Sequence, residues 1–229
     1  PANFKIRGSL ALIAPHGGET WIVEETRTIT WTKTGTLADV KLEYSTDGGV
    51  TYPNVITAST PASNLSYAWT VPDAISATVK VRITLNADAT VTDDSNAAFT
   101  IKGSLTLTAP NTGEIWIAGT SQNIAWTKTG SIANVKLEYS TDAGVTYPNL
   151  ITASTSAATG SYGWTVPDLA CTSVKVRVTN TADTTVSDDS NTAFTIRGGL
   201  SVTSPVGTDV WKVGEIKTIS WTSTGAGAI

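Results

Sequence analysis

The stretch Val40-Lys41-Leu42-Glu43-Tyr44-Ser45-Thr46-Asp47-Gly48-Gly49 returns 95 residues later as Val135-Lys136-Leu137-Glu138-Tyr139-Ser140-Thr141-Asp142-Ala143-Gly144. Val40, Leu42 and Tyr44 alternate with Lys41, Glu43 and Ser45, the pattern of a half-buried strand with one polar face. Asp-Gly-Gly then supplies a turn, because glycine accepts positive φ and aspartate can bond its own backbone.

The repeat continues in both directions without a gap. Trp21, Trp31 and Phe99 recur as Trp116, Trp126 and Phe194. Tyr52, Tyr67 and Trp69 recur as Tyr147, Tyr162 and Trp164. About 60 of the 95 positions match between the two copies, so one structural unit is repeated. The units run from 8 to 102 and from 103 to 197. A third copy, from 198 to 229, carries Trp211 and Trp221 and stops early. Residues 1–7 resemble the last strand of a preceding copy, through Phe4. The parent array is therefore expected to be longer than this chain.

Seven strands are predicted per unit. In the first copy they are 9–14, 28–32, 40–44, 50–57, 66–71, 79–83 and 98–101. Seven short alternating strands in about 95 residues fit an immunoglobulin-like (fibronectin-III-like) antiparallel β-sandwich, so the fold class is all-β. Trp31 and Trp69 are expected between the sheets. The third copy lacks the strands that would cover Trp211 and Trp221. It is expected to be disordered or ordered only against a neighbouring molecule. No flexible linker separates Phe99-Thr100-Ile101-Lys102 from Gly103-Ser104-Leu105, which predicts a stiff succession of units.

Bulk properties exclude several function classes. The net charge is −4, with no basic patch for nucleic acid. No apolar run is long enough to span a membrane. The one cysteine, Cys171, aligns with Ser76 and reads as filler. The one histidine, His16, aligns with Asn111 and Val206, so the array does not maintain it. No nucleophile-base set or phosphate loop appears, and the chain is not expected to be an enzyme.

Three groups of residues remain as candidates. Asp88, Asp93 and Asp94 recur as Asp183, Asp188 and Asp189. Placed in a loop before the last strand, they could offer calcium several oxygens. Trp21 with Tyr52, and Trp116 with Tyr147, are candidates for stacking on cell-wall polysaccharide. Asp47 and Gly49, with Asp142 and Gly144, are assigned to turn structure. Asn64-Leu65-Ser66 is a single N-glycosylation sequon.

The pattern Gly18-Glu19-Thr20-Trp21, Ile29-Thr30-Trp31-Thr32, Val40–Gly49, Tyr67-Ala68-Trp69-Thr70-Val71-Pro72 and Phe99-Thr100-Ile101 resembles a known module. It is the immunoglobulin-like domain of the yeast cell-wall glucan-synthesis family (Ser/Thr-rich, GPI-anchored), with similar copies in secreted bacterial and archaeal surface proteins. The resemblance implies a β-sandwich on a secreted or wall-associated protein and brings no catalytic residues. Ser45–Tyr52 also resembles the Asp-box of sialidases, a structural hairpin there. The expected role is a structural stalk segment of a repetitive extracellular or cell-surface protein: a spacer, scaffold, fibre or adhesin stalk. The expected partners are neighbouring repeats and, alternatively, polysaccharide or like subunits that pair through strand edges.

Overall fold

The computed structural model describes residues 5–225, and these fall into two compact units. One contains the chain up to Ser104 together with Thr129–Ser131. The other contains Leu105–Lys128 and the chain from Ile132 onward. The expected strand of a preceding copy lies partly outside the described residues, and Lys5–Gly8 are in no strand.

The first unit has nine strands: β1 (Ser9–Ala14), β2 (Thr20–Ile22), β3 (Thr26–Thr34), β4 (Asp39–Ser45), β5 (Asn54–Pro61), β6 (Ser66–Thr70), β7 (Ser76–Leu85), β8 (Asp88–Asp94) and β9 (Phe99–Lys102). One sheet has the order β1-β3-β6. The facing sheet has the order β2-β9-β7-β4-β5, with β8 also on β7. β7 borders β9 through Ser76 and Val79, and β8 through Arg82 to Leu85.

The second unit repeats this order with β10 (Ser104–Ala109), β11 (Ile115–Ile117), β12 (Ser121–Thr129), β13 (Asn134–Ser140), β14 (Asn149–Ser156), β15 (Ser161–Thr165), β16 (Cys171–Asn180), β17 (Ser187–Asp189) and β18 (Phe194–Arg197). Each unit is a β-sandwich of the immunoglobulin and fibronectin-III type.

Alternation decides what is buried. In β7, Val79, Val81, Ile83 and Leu85 point inward while Lys80, Arg82 and Thr84 are half-exposed. Trp31 and Trp69 lie between the sheets as expected. The Trp31 indole N–H donates to the carbonyl of Ala62 at 3.0 Å, and Trp126 bonds Ala157 in the same way. Ala62 lies in a 3-10 turn (Ala62–Asn64) between β5 and β6, so one indole ties that connection to the core.

Four expectations change. β2 and β8 were not foreseen. β2 is short, and it pairs with β9 in parallel (Trp21 opposite Ile101), so the larger sheet is mixed rather than purely antiparallel. The strand expected at 50–57 begins at Asn54, because the preceding residues serve the Asp47 turn. Finally, the third copy forms an antiparallel hairpin of β19 (Gly199–Ser204) and β20 (Ser220–Thr224), where disorder, or order only against a neighbouring molecule, was expected. Thr224 Oγ1 donates to Ala118 O at 2.9 Å, and the Gly225 N–H donates to Asp168. With no second sheet over it, Trp221 is 63% exposed, whereas its equivalent Trp31 is 2% exposed.

Replacing Trp31 or Trp126 with alanine empties a tightly packed volume and removes the indole's bond to the turn carbonyl. Each substitution is expected to cost its unit about 3–5 kcal/mol, measured by urea unfolding followed by near-UV circular dichroism.

Candidate functional site

The acidic residues do not gather. Asp88–Asp94 is a strand, not a loop, so successive carboxylates point to opposite faces. Asp93 Oδ2 accepts the Leu12 N–H at 2.7 Å, toward β1. Asp94 faces outward and takes Arg82 in a two-pronged pair, Nε at 2.7 Å and Nη2 at 2.8 Å. Asp88 accepts the N–H and hydroxyl of Thr90 and meets Arg7 Nε at 3.0 Å.

The second unit repeats the set. Asp188 accepts Leu107 N–H at 2.7 Å, Asp189 pairs with Arg177, and Asp183 accepts from Thr185. Among the described residues no three His, Cys, Asp or Glu side chains converge to hold a metal. The structure does not bring together the residues expected to hold calcium, Asp88, Asp93, Asp94, Asp183, Asp188 and Asp189: Asp93 and Asp94 point to opposite faces of their strand, as do Asp188 and Asp189, while Asp88 and Asp183 bond their neighbours Thr90 and Thr185.

The aromatic pairs are also split. Trp21 is 6% exposed and packs on Phe99 (centroids 4.8 Å apart) and edge-on to Trp69 (5.8 Å). Trp116 does the same with Phe194 and Trp164. Their ring faces are core contacts, unavailable to a sugar. Tyr52 lies outside the larger sheet, with the Arg82 guanidinium 3.8 Å above its ring; Tyr147 lies under Arg177 at 3.9 Å. Trp21 and Tyr52 thus stand on opposite sides of one sheet. This corrects the shared stacking platform expected of Trp21, Tyr52, Trp116 and Tyr147.

In its place the outer face of each unit carries an aromatic, a cation and an acid in contact. In the first unit it is Tyr52, Arg82 and Asp94. Burial pushes the Tyr52 hydroxyl up to about 12, helped by the neighbouring Asp94 charge. Burial works against ionisation of Asp94, but the Arg82 hydrogen bonds outweigh it and hold the carboxyl below its ordinary range. The sequence reading missed Arg82 and Arg177. Each is an outward cation twelve residues before an outward acid, recurring in both copies, and that recurrence was a usable signal.

The turn residues act locally. Ser45 Oγ–H donates to Asp47 Oδ1 at 2.6 Å, and Ser45 Oγ accepts the N–H groups of Asp47 and Gly49. Thr51 donates both its N–H and its hydroxyl to Asp47. These bonds, that from Ser45 foremost, hold the Asp47 carboxyl far below its usual range. Gly49 has φ +90°, and a Cβ there would meet the Tyr52 hydroxyl at 2.9 Å. Asp142 and Gly144 repeat the arrangement. The network fills the valences of its own loop and offers no open site.

No family model matches the chain, and no curated protein matches it. Among solved structures it is similar to the fibronectin(III)-like modules of Clostridium thermocellum CbhA, at 16% identity over 82% of this chain and 92% of that one, with a TM-score of 0.27. It is also similar to Ig1+Ig2 of DIP-gamma (10% identity, 82% and 97% covered, TM-score 0.28) and to Rst D1-D2 (12%, 82% and 100%, 0.29).

The depressed carboxyls fix the sign of the pH response. A group whose pKa falls on folding stabilises the fold above its unfolded value, near 4, and loses that contribution as pH falls through the folded value. Melting temperature is therefore expected to hold from pH 7 to about 5 and to fall below about 4. Asp94→Asn with Asp189→Asn should lower the plateau and flatten the acid limb, read by circular dichroism melts at a series of pH values. Calcium added after chelation should move the midpoint by less than about 1 °C.

Proposed function

We propose that this chain is a stalk segment of a long repetitive extracellular or cell-surface protein, giving length and spacing rather than chemistry. One observation carries the reading: Gly103 alone lies between β9 and β10, and Gly198 alone between β18 and β19. A one-residue connection leaves little slack, unlike the long Gly/Ser or Pro tracts that join independently moving domains. On this reading the modules run from 8 to 102 and from 103 to 197, with a further module beginning at 198. The resemblance of the repeat to the glucan-synthesis-family domain supports a secreted or wall-associated setting. Each unit spends its recurring polar residues on internal bonds, and the proposal involves no cofactor. Among the described residues no helix is long and apolar enough to cross a membrane.

A second reading, association of proteins through strand edges, is favoured by one feature: among the described residues each larger sheet ends on a long strand, β5 or β14, with no strand beyond it.

Pulling the chain from its ends tests the stalk reading. Two unfolding steps are expected, each releasing about 30 nm, since about 90 residues extend by up to 3.6 Å each. Extension without discrete steps at forces of a few piconewtons would sink the proposal. Saturable quenching of tryptophan fluorescence by a cell-wall glycan would do the same for its non-binding character.

A further inference from the structure

Each compact unit takes in a piece of the copy that follows. The first unit includes Thr129–Ser131, and the second includes the hairpin β19–β20. Both pieces meet the same feature, the corner that leaves β6 or β15. There Val71-Pro72-Asp73 recurs as Val166-Pro167-Asp168. Backbone bonds hold the corner in place. Val71 N–H donates to Glu25 O and Glu24 N–H to Val71 O, which ties it to the turn between β2 and β3. In the second unit Val166 N–H donates to Thr120 O and Gly119 N–H to Val166 O. Proline then fixes φ at the residue before the aspartate, so the carboxylate stands on a rigid backbone.

What each carboxylate takes is the turn where Thr-Gly leaves β12 or β20. Asp73 accepts the Ser131 N–H at 3.0 Å and also the Ser131 hydroxyl. Asp168 accepts the Gly225 N–H, and beside it Thr224 Oγ1 donates to Ala118 O at 2.9 Å. Gly130 has φ +77° and Gly225 φ +67°, a conformation that favours glycine. Space demands glycine as well. A Cβ on Gly130 would meet Val23 at 3.1 Å and Asp73 at 3.3 Å. On Gly225 it would meet Gly198 at 2.6 Å and Ala118 at 3.1 Å. Val23 and Ala118 hold equivalent positions in the repeat, and both are buried. Among the described residues the Asp73 and Asp168 carboxylates bond nothing else.

We infer that the Val-Pro-Asp corner is a docking site whose ligand is the Thr-Gly turn of the copy that follows. The two sides match in chemistry. The corner presents an ionised carboxylate, which can only accept; the turn presents backbone N–H groups and a serine hydroxyl, which can donate. Hydrogen bonds with one ionised partner are stronger than neutral ones. The corner leaves little room over Val23 or Ala118, and the turn brings a residue without a side chain. Both halves recur together, Asp73 with Gly130 and Asp168 with Gly225. The third copy shows the site most plainly. No second sheet covers its hairpin, yet Gly225 is buried at the corner of the second unit. Each copy is thus completed by a part of its successor. The inference does not need the stalk reading, since it concerns how copies are fastened and not where the array works.

Hydrogen exchange of the full 229-residue chain, read by mass spectrometry of its peptides, tests it. In the wild type 199–225 should be protected. Asp168→Ala should speed exchange there about tenfold, as expected for a lost bond to a charged group, and leave 132–189 unchanged. Asp168→Asn keeps an acceptor oxygen and should lose less. Asp73→Ala repeats the test at the other corner: a peptide spanning 129–131 should exchange faster while 199–225 behaves as in the wild type. A hairpin that exchanges freely in the wild type overturns the inference. So does an Asp168→Ala hairpin as protected as the wild type's. Protection lost equally across 132–225 would overturn it too, because Asp168 would then support its own unit and not dock the turn. The stalk reading would outlast any of these results, because its unfolding steps are counted on single molecules.

Discussion

Trp31 and its equivalent Trp126 hold each sandwich together across the gap where no backbone ladder can run. The indole of Trp31 is 2% exposed, lies between the sheets and donates to Ala62 O. On the β5–β6 flank the connecting turn is tied by two backbone bonds, Ala62 N–H to Ala38 O beside β4 and Trp31 N–H to Leu65 O beside β6, and to these the indole adds bulk and a directed donor. The turn it grips carries the chain from the larger sheet to the smaller. The flank can therefore stay open at its edges without the layers parting.

On the other flank the same task is done by polar groups. Asp93 caps β1, and the segment between β1 and β2 bonds backbone to backbone with the segment entering β9. The carboxylates that looked available in sequence are thus fasteners. Asp93 and Asp94 are adjacent in the chain yet serve opposite faces, one closing an edge and the other pairing with Arg82 over the Tyr52 ring. Such half-exposed ion pairs contribute modestly to stability. Their larger effect is to fix which way the outer side chains lie.

A protein assembled from copies of one sandwich faces a choice at every edge strand. Free edges recruit other chains. Here acids guard β1 and β10, while β5 and β14 run in irregular register against β4 and β13, and β5 ends on Pro61.

Much of this was legible in the residues. The 95-residue period, the all-β class, the inward series Val40, Leu42, Val79, Val81 and Ile83, and the Asp47 turn all follow from local alternation and local bonding. These are properties a strand or turn has wherever it is placed. The short β2, the strand character of Asp88–Asp94 and the burial of Trp21 were not legible. Each depends on a partner far along the chain: Trp21 on Phe99, Asp93 on Leu12, Asp94 on Arg82. A three-residue strand carries too little periodicity to announce itself, and an acidic run reads alike in a loop or on an edge. The sequence by itself determined the repeat and the strand pattern. Only the tertiary structure decided which aromatics are core, which acids are fasteners and which edges are left free, because those depend on what lies across the gap.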